Sequence, residues 1–296
     1  YRDPDPGRWR RPCHPRQARA CDRDHRNQHR GAVVMQVGLG IFMDAAKGEL
    51  APPFSPAAVS PSFWIDPSDL SSMFQDSAGT LPVTADGQPV GLIQDKSGNG
   101  HHCIQTVAGE RPTYRTDGTL HWLDFDGVDD AMHTNAISLV HTDKVSVFMA
   151  IRKASDAAAA CCAELSSSSS AYNGTFALFA PVSTADNYFW RARGSSTVDL
   201  NVSGFSAPID NVLTGLVDIA APSSTLRANG SVTSQSAGSL GAGTFGNHPL
   251  YLGSRGGDSL PFSGRVYQMA ISDSIVAGTD LDQMESYLAA KTGLSL

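Results

Sequence analysis

Glutamate is nearly missing from this chain: Glu49, Glu110, Glu164 and Glu285 stand against 25 aspartates. Aspartate disfavours helix interiors and suits turns and caps. With 28 Gly and 17 Pro, the bias argues for a loop-rich β protein. Cysteine is sparse and unframed. The five, Cys13, Cys21, Cys103, Cys161 and Cys162, are odd in number and show no C-x-x-C, and the neighbours Cys161 and Cys162 would bridge only under strain. A disulfide scaffold is therefore not expected, and assembly in a reducing compartment is. No run of 18 apolar residues occurs, so no transmembrane helix is predicted. The apolar stretch Val33 to Met43 is brief, follows an arginine-rich segment and lacks a cleavage site, so it is not read as a signal peptide. A Gly-x-Ser-x-Gly elbow and a phosphate-binding P-loop are also missing, which removes two large enzyme classes.

Charge is unevenly spread over the 296 residues. Residues 1 to 34 hold nine of the 22 basic side chains and four of the 29 acids, which makes this segment near +5 and the remainder near −12. The body should not bind nucleic acid non-specifically, whereas the basic arm offers the one place that could. The arm shows little hydrophobic periodicity and is expected to be irregular over residues 1–50. Because Met35 begins a more ordinary stretch, residues 1–34 are read either as an extension upstream of the natural start or as an arm that orders against a partner. Cys13, Cys21, His25 and His29 superficially suggest zinc but are read as a chance spacing. A proline-rich linker, 51–62, leads into the body.

The densest carboxylate cluster is Leu123-Asp-Phe-Asp-Gly-Val-Asp-Asp130. Leu123, Phe125 and Val128 can face a core, while Asp124, Asp126, Asp129 and Asp130 cannot all be buried unpaired. The pattern predicts a strand that turns at Gly127 into an acidic rim. Upstream, Phe63 to Leu70 reads as a strand, then a helical turn capped by Asp66 with Pro67 at its first position. Asp86-Gly87 signals a hairpin over Val83 to Leu92. Asp95 to His102 is a tight loop, because Gly98 and Gly100 flank Asn99.

The loop Asp95-x-Ser-Gly-Asn-Gly-x-His102, followed about twenty residues later by Leu123-x-Phe-Asp-Gly-x-Asp-Asp130, resembles the opening of a laminin-G-like domain of the concanavalin A-like lectin/glucanase superfamily. Trp64-Ile-Asp-Pro-Ser-Asp-Leu70, with Phe74-Gln-Asp76 and Pro89-Val-Gly-Leu92, is similar to the versions encoded by bacteriophages and prophages. The likeness spans Phe63 to Leu296. It implies an all-β, jelly-roll β-sandwich with a short C-terminal helix. Independent strand signals run over Val145 to Lys153, Thr175 to Ala180, Tyr188 to Arg193, Val198 to Val202, Leu213 to Ile219, Leu250 to Gly253 and Gly264 to Ile271. A hairpin is expected to turn on Asn229-Gly230. Ala157 to Ser170, ending in five serines, is read as a flexible insertion. The C-terminal helix should begin with Thr279 as its cap and cover an end or edge of the sandwich.

Glucanases of the superfamily take their catalytic carboxylates from one strand as Glu-x-Asp-x-(x)-Glu, and no such triplet occurs here. The reading is therefore not an enzyme. Cofactors are not required, but hard cations want several oxygen ligands, and Asp95 and Asn99 with Asp126 and Asp129 could hold calcium if the two loops meet. Otherwise these residues cap turn amides. His101 and His102 are read as loop histidines. Trp190, Arg191 and Tyr251 are the candidates for stacking on a sugar, with burial of the aromatics as the rival expectation. Functionally, the resemblance implies a non-enzymatic virion protein of a bacteriophage, assembled in the host cytoplasm as a homo-oligomer with other virion proteins. Its expected place is a tail, fibre or capsid-surface module that binds host surface polysaccharide, without membrane insertion. The alternatives are a purely structural decoration (cement) protein and a glycoside hydrolase.

Overall fold

The structure is a computed structural model that describes residues 35–37, 41–44, 49–51 and 53–296. The chain divides into two units, Tyr1–Pro53 and Phe54–Leu296. Of the first, the described part is an antiparallel sheet of β1 (Met35–Val37), β2 (Ile41–Asp44) and β3 (Glu49–Ala51), where an irregular arm is expected from sequence. Residues 1–34, with the four residues of the zinc-like spacing, lie outside the described residues.

The second unit carries, in chain order, β4 (Phe63–Ile65), β5 (Met73–Phe74), β6 (Leu92–Ile93), β7 (Cys103–Ile104), β8 (Thr113–Thr116), β9 (His121–Asp126), β10 (Met132–Ser138), β11 (Lys144–Lys153), β12 (Cys161–Leu165), β13 (Thr175–Phe179), β14 (Tyr188–Arg193), β15 (Thr197–Val202), β16 (Ile209–Asp218), β17 (Ser223–Ala228), β18 (Ser231–Ser236), β19 (Asn247–Leu252), β20 (Ser263–Ser272) and the helix α1 (Thr279–Thr292). They build two antiparallel sheets packed face to face. One runs β15-β14-β13-β12-β19-β10-β7-β6-β5; the other runs β18-β17-β16-β11-β20-β9-β8, with β4 also on β20.

Side-chain alternation explains the layering. On β14, Tyr188, Trp190 and Ala192 point into the shared core, and Phe189, Arg191 and Arg193 point out. Strand β11 is apolar on both faces because both are covered: Val147, Met149 and Ile151 join the inter-sheet core, and Phe148 and Ala150 meet α1. Leu281, Met284 and Leu288 of α1 lie in the same layer as Trp64, Trp122 and Tyr267. The helix thus covers the outer face of the second sheet rather than an end or edge. Its cap is Gly278 and not Thr279, since Thr279 already lies in the first turn.

Other expectations need correction. The Ala157 to Ser170 segment contains β12, which is wholly buried in the middle of the first sheet. Its serines flank an apolar run, Cys161-Cys-Ala163, that sheet pairing takes up. Val128 is 71% exposed, because Gly127 turns the chain with φ 76° before it could re-enter the core. Asp86-Gly87 makes a turn without paired flanking strands, and Asp86 instead accepts from the Thr116 amide of β8 at 2.9 Å. Asp66 accepts from Ser68 N at 3.0 Å, but the helical turn begins later, at Leu70, under an Asp69 cap. The Asn229-Gly230 hairpin forms, with φ 49° and 77°.

Candidate functional site

The acidic rim lies where the chain leaves β9 in one sheet for β10 in the other. Leu123 and Phe125 are buried, and a Cβ on Gly127 would come 2.6 Å from that of Ser263, so the turn accepts only glycine. Asp126 Oδ1 accepts from the amides of Val128 at 2.8 Å and Asp129 at 3.3 Å. Asp130 is buried, and its Oδ2 accepts from the Asp126 amide at 2.9 Å. Carboxylate oxygens of Asp126, Asp129 and Asp130 all lie within 4.8 Å of one another. Burial, reinforced by Asp126, Asp129 and Asp124, pushes the Asp130 carboxyl up to about 7, against the pull of the Asp126 amide. Burial also raises Asp124, opposed by Arg265 and Arg115. Such a donor set suits a hard cation. The spacing also approaches that of a glycosidase pair, but Asp126 is committed to its own turn and none of the three lines the groove described below.

Asp95 is not part of that cluster, and its loop is occupied with itself. Asp95 Oδ1 accepts from Trp64 N at 3.0 Å and Ser97 N at 2.9 Å; its Oδ2 accepts from Ser97 Oγ at 2.7 Å and His101 N at 3.0 Å. Asn99 Nδ2 donates to Ser62 O at 3.1 Å and Ser97 Oγ at 3.1 Å. These bonds pin the loop to β4. Asp95 and Asn99 are thus bound to neighbours other than Asp126 and Asp129, and they act as turn caps. His102 Nδ1 accepts the Asp95 amide at 3.0 Å, and His101 Nδ1 is 2.8 Å from Asn135 Oδ1.

Between this loop and the end of β10 runs a groove of about 630 Å³. Its lining includes Lys96, Asn99 and His101 of the loop, Ser138 and His141, Asp273, and the buried Ile137. Lys96 is paired with Asp69 and stands 5.3 Å from the Trp64 ring centroid; that pairing, with help from Ser71, holds the Asp69 carboxyl below its ordinary range. His141 Nε2 is 2.8 Å from Asp273 Oδ2. Sequence reasoning singled out Asn99, as a calcium ligand, read His101 as a loop histidine, and missed Lys96, Ser138, His141 and Asp273. They come from three stretches of the chain, at Lys96, at Ser138 to His141 and at Asp273, which only the fold brings together.

Elsewhere on the first sheet, the aromatic and arginine candidates part company. Trp190 is fully buried: its Nε1 donates to Ser224 Oγ at 3.2 Å and its ring stacks on Phe176 with centroids 5.4 Å apart. It offers no face to a ligand. Arg191 and Tyr251 both face outward, in one cross-strand row of Asp199, Arg191, Ala177, Glu164, Tyr251 and His133. Three strand spacings separate Arg191 from Tyr251, about 14 Å. Arg191 makes a two-pronged bond to Asp199, both arms 2.7 Å. The buried Glu164 accepts from Ser169 N at 2.5 Å and lies 3.6 Å from Arg255 Nε; its other oxygen has no partner among the described residues.

No protein-family model and no curated protein matches this chain. Solved structures do. A botulinum neurotoxin type C structure, described by its interaction with two ganglioside molecules, is 9% identical over 79% of this chain and 53% of its own, with a TM-score of 0.54. The botulinum neurotoxin serotype D binding domain is 9% identical over 77% of this chain and 51% of its own, with a TM-score of 0.53. The chain therefore spans about half the length of these toxin structures. The CBM40 of the Ruminococcus gnavus IT-sialidase, bound to α2,3 sialyllactose, overlaps 50% of this chain and 83% of its own at 16% identity and a TM-score of 0.39, which is too low to carry an argument. At such identities the toxin structures establish shared architecture: a β-sandwich.

Proposed function

We propose that this chain is a non-enzymatic, lectin-like module of a bacteriophage particle, at the tail, fibre or capsid surface, and that it binds host-surface glycan. The observation that carries the binding is the groove of about 630 Å³ beside β10, a volume typical of small-ligand sites. Ser138, Asn99, His101 and His141 bring hydroxyl, amide and imidazole groups to its lining beside the buried Ile137, and such groups hydrogen-bond the hydroxyls of a sugar. The toxin structure described with gangliosides supports the choice of ligand, and the motif resemblance supports the phage setting. Calcium at the Asp126, Asp129 and Asp130 rim belongs to the same reading, as does assembly with further copies and other virion proteins.

A glycan array at physiological salt tests the proposal. Saturable binding of a defined glycan, lost in His141→Ala, supports it. An array with no binder above background refutes it and leaves the cement role.

A further inference from the structure

A second polar cluster stands on the outer face of the first sheet, beneath the loop of residues 166–174. Arg193 extends the outward row of β14. Its Nη1 donates to Ser170 O at 2.9 Å and Thr197 Oγ1 at 3.1 Å, and its Nε donates to Asn173 Oδ1 at 3.3 Å. Nη2 makes no hydrogen bond among the described residues. While Arg191 is neutralised by Asp199, no carboxylate among the described residues pairs with Arg193. Arg255 approaches from the other side, with Nη2 donating to Ser168 Oγ at 3.2 Å and Ser170 Oγ at 2.8 Å. Ser170 therefore sits between two guanidinium groups. Two residues on, Tyr172 is 51% exposed and rests beside His248, ring centroids 6.0 Å apart, and His248 Nε2 is 3.0 Å from Asn173 O.

The loop thus joins a guanidinium with one free nitrogen, Nη2, a hydroxyl and a solvent-facing ring. The free N–H groups of a guanidinium nitrogen make charge-assisted hydrogen bonds to a carboxylate, and an exposed tyrosine offers an apolar face to a sugar ring. We propose that this cluster is a second ligand site, separate from the groove, for a carboxylate-bearing saccharide. The carboxylate accepts from Arg193 Nη2, the ring lies on Tyr172 and the hydroxyls reach Ser170 and Asn173. The inference shares with the groove reading only that the ligand is a saccharide.

The experiment titrates the full chain with tri-galacturonic acid and sialyllactose, each beside its methyl ester, and follows the NMR signals of Tyr172 and of the Arg193 Nε–H. At least one acid should give saturable shifts at both residues and bind at least tenfold more tightly than its ester. Arg193→Gln should lose at least tenfold, Arg193→Lys should lose less, and His141→Ala should bind as the parent does. If Arg193→Gln fails to fold, Tyr172→Ala, a change at an exposed ring, takes its place with the same expected loss. The site is refuted if neither acid gives saturable shifts, if acid and ester bind alike, or if the Arg193 and Tyr172 variants stay within twofold of the parent. Loss of acid binding in His141→Ala alone would overturn this site while leaving the groove reading intact.

Discussion

The carboxylate of Asp130 accepts the backbone amide of Asp126 at 2.9 Å and so closes the turn that passes the chain from one sheet to the other. The same bond holds a buried acid against two carboxylates of its own sign. Folding raises the Asp130 carboxyl from 3.8 to about 7, chiefly through burial. A raised acid stabilises the fold fully below pH 3.8, and that contribution is lost as pH climbs through about 7.

Asp130→Asn keeps an acceptor for the Asp126 amide and removes the charge. At pH 8 it should gain about 1 kcal/mol, discounted for solvent reaching this turn, or roughly 2–4 °C in Tm. At pH 4 the two proteins should melt together. Equal shifts at both pH values would show that charge is not the cause.

Calcium at millimolar concentration should raise the Tm of the parent at pH 8, and do so less at pH 5, where Asp130 is protonated. Asp126→Asn and Asp129→Asn should each weaken the rise. An unchanged Tm with calcium removes the cation from the account of the rim.

Gly215 of β16 faces the Trp190 ring, whose nearest atoms would lie 2.6 Å from an added Cβ. Gly215→Ala should therefore cost about 1–3 kcal/mol by overpacking, read as a lower denaturation midpoint with unchanged slope. A neutral substitution would mean the sheets can part at this point.

Arg227 and the buried Glu285 form a two-pronged pair, both arms 2.7 Å, that fastens α1 to β17. Glu285→Ala leaves the guanidinium unpaired beside the helix and should cost about 3 kcal/mol. Thermal denaturation should show the loss, and hydrogen exchange should place it in α1.

The sandwich was legible because its strands are long and bounded by turn residues. Tyr188 to Arg193 alternates cleanly, and Asn229-Gly230 marks its hairpin. Strand β12 was hidden, since five serines after Cys161 to Leu165 resemble a linker and burial on both faces leaves no alternation to read. The rim was visible as a run of aspartates, but that Asp95 stays out of its cluster was not, because Asp95, Asp126 and Asp130 are claimed by amides that only the folded chain supplies. Trp190 illustrates the same limit: alternation divides β14 into two faces, and only packing on Phe176 shows which is the core. His141 and Asp273 gave no local signal at all, as 132 residues separate them in the chain.

Glycan-array binding of the parent chain beside His141→Ala and Ser138→Leu is the most direct measurement of the central claim. His141 and Ser138 line the groove at exposed positions, so both variants should keep the parent Tm. The account predicts a defined glycan bound by the parent and at least tenfold more weakly by each variant. Binding by the parent that both variants retain in full would contradict it.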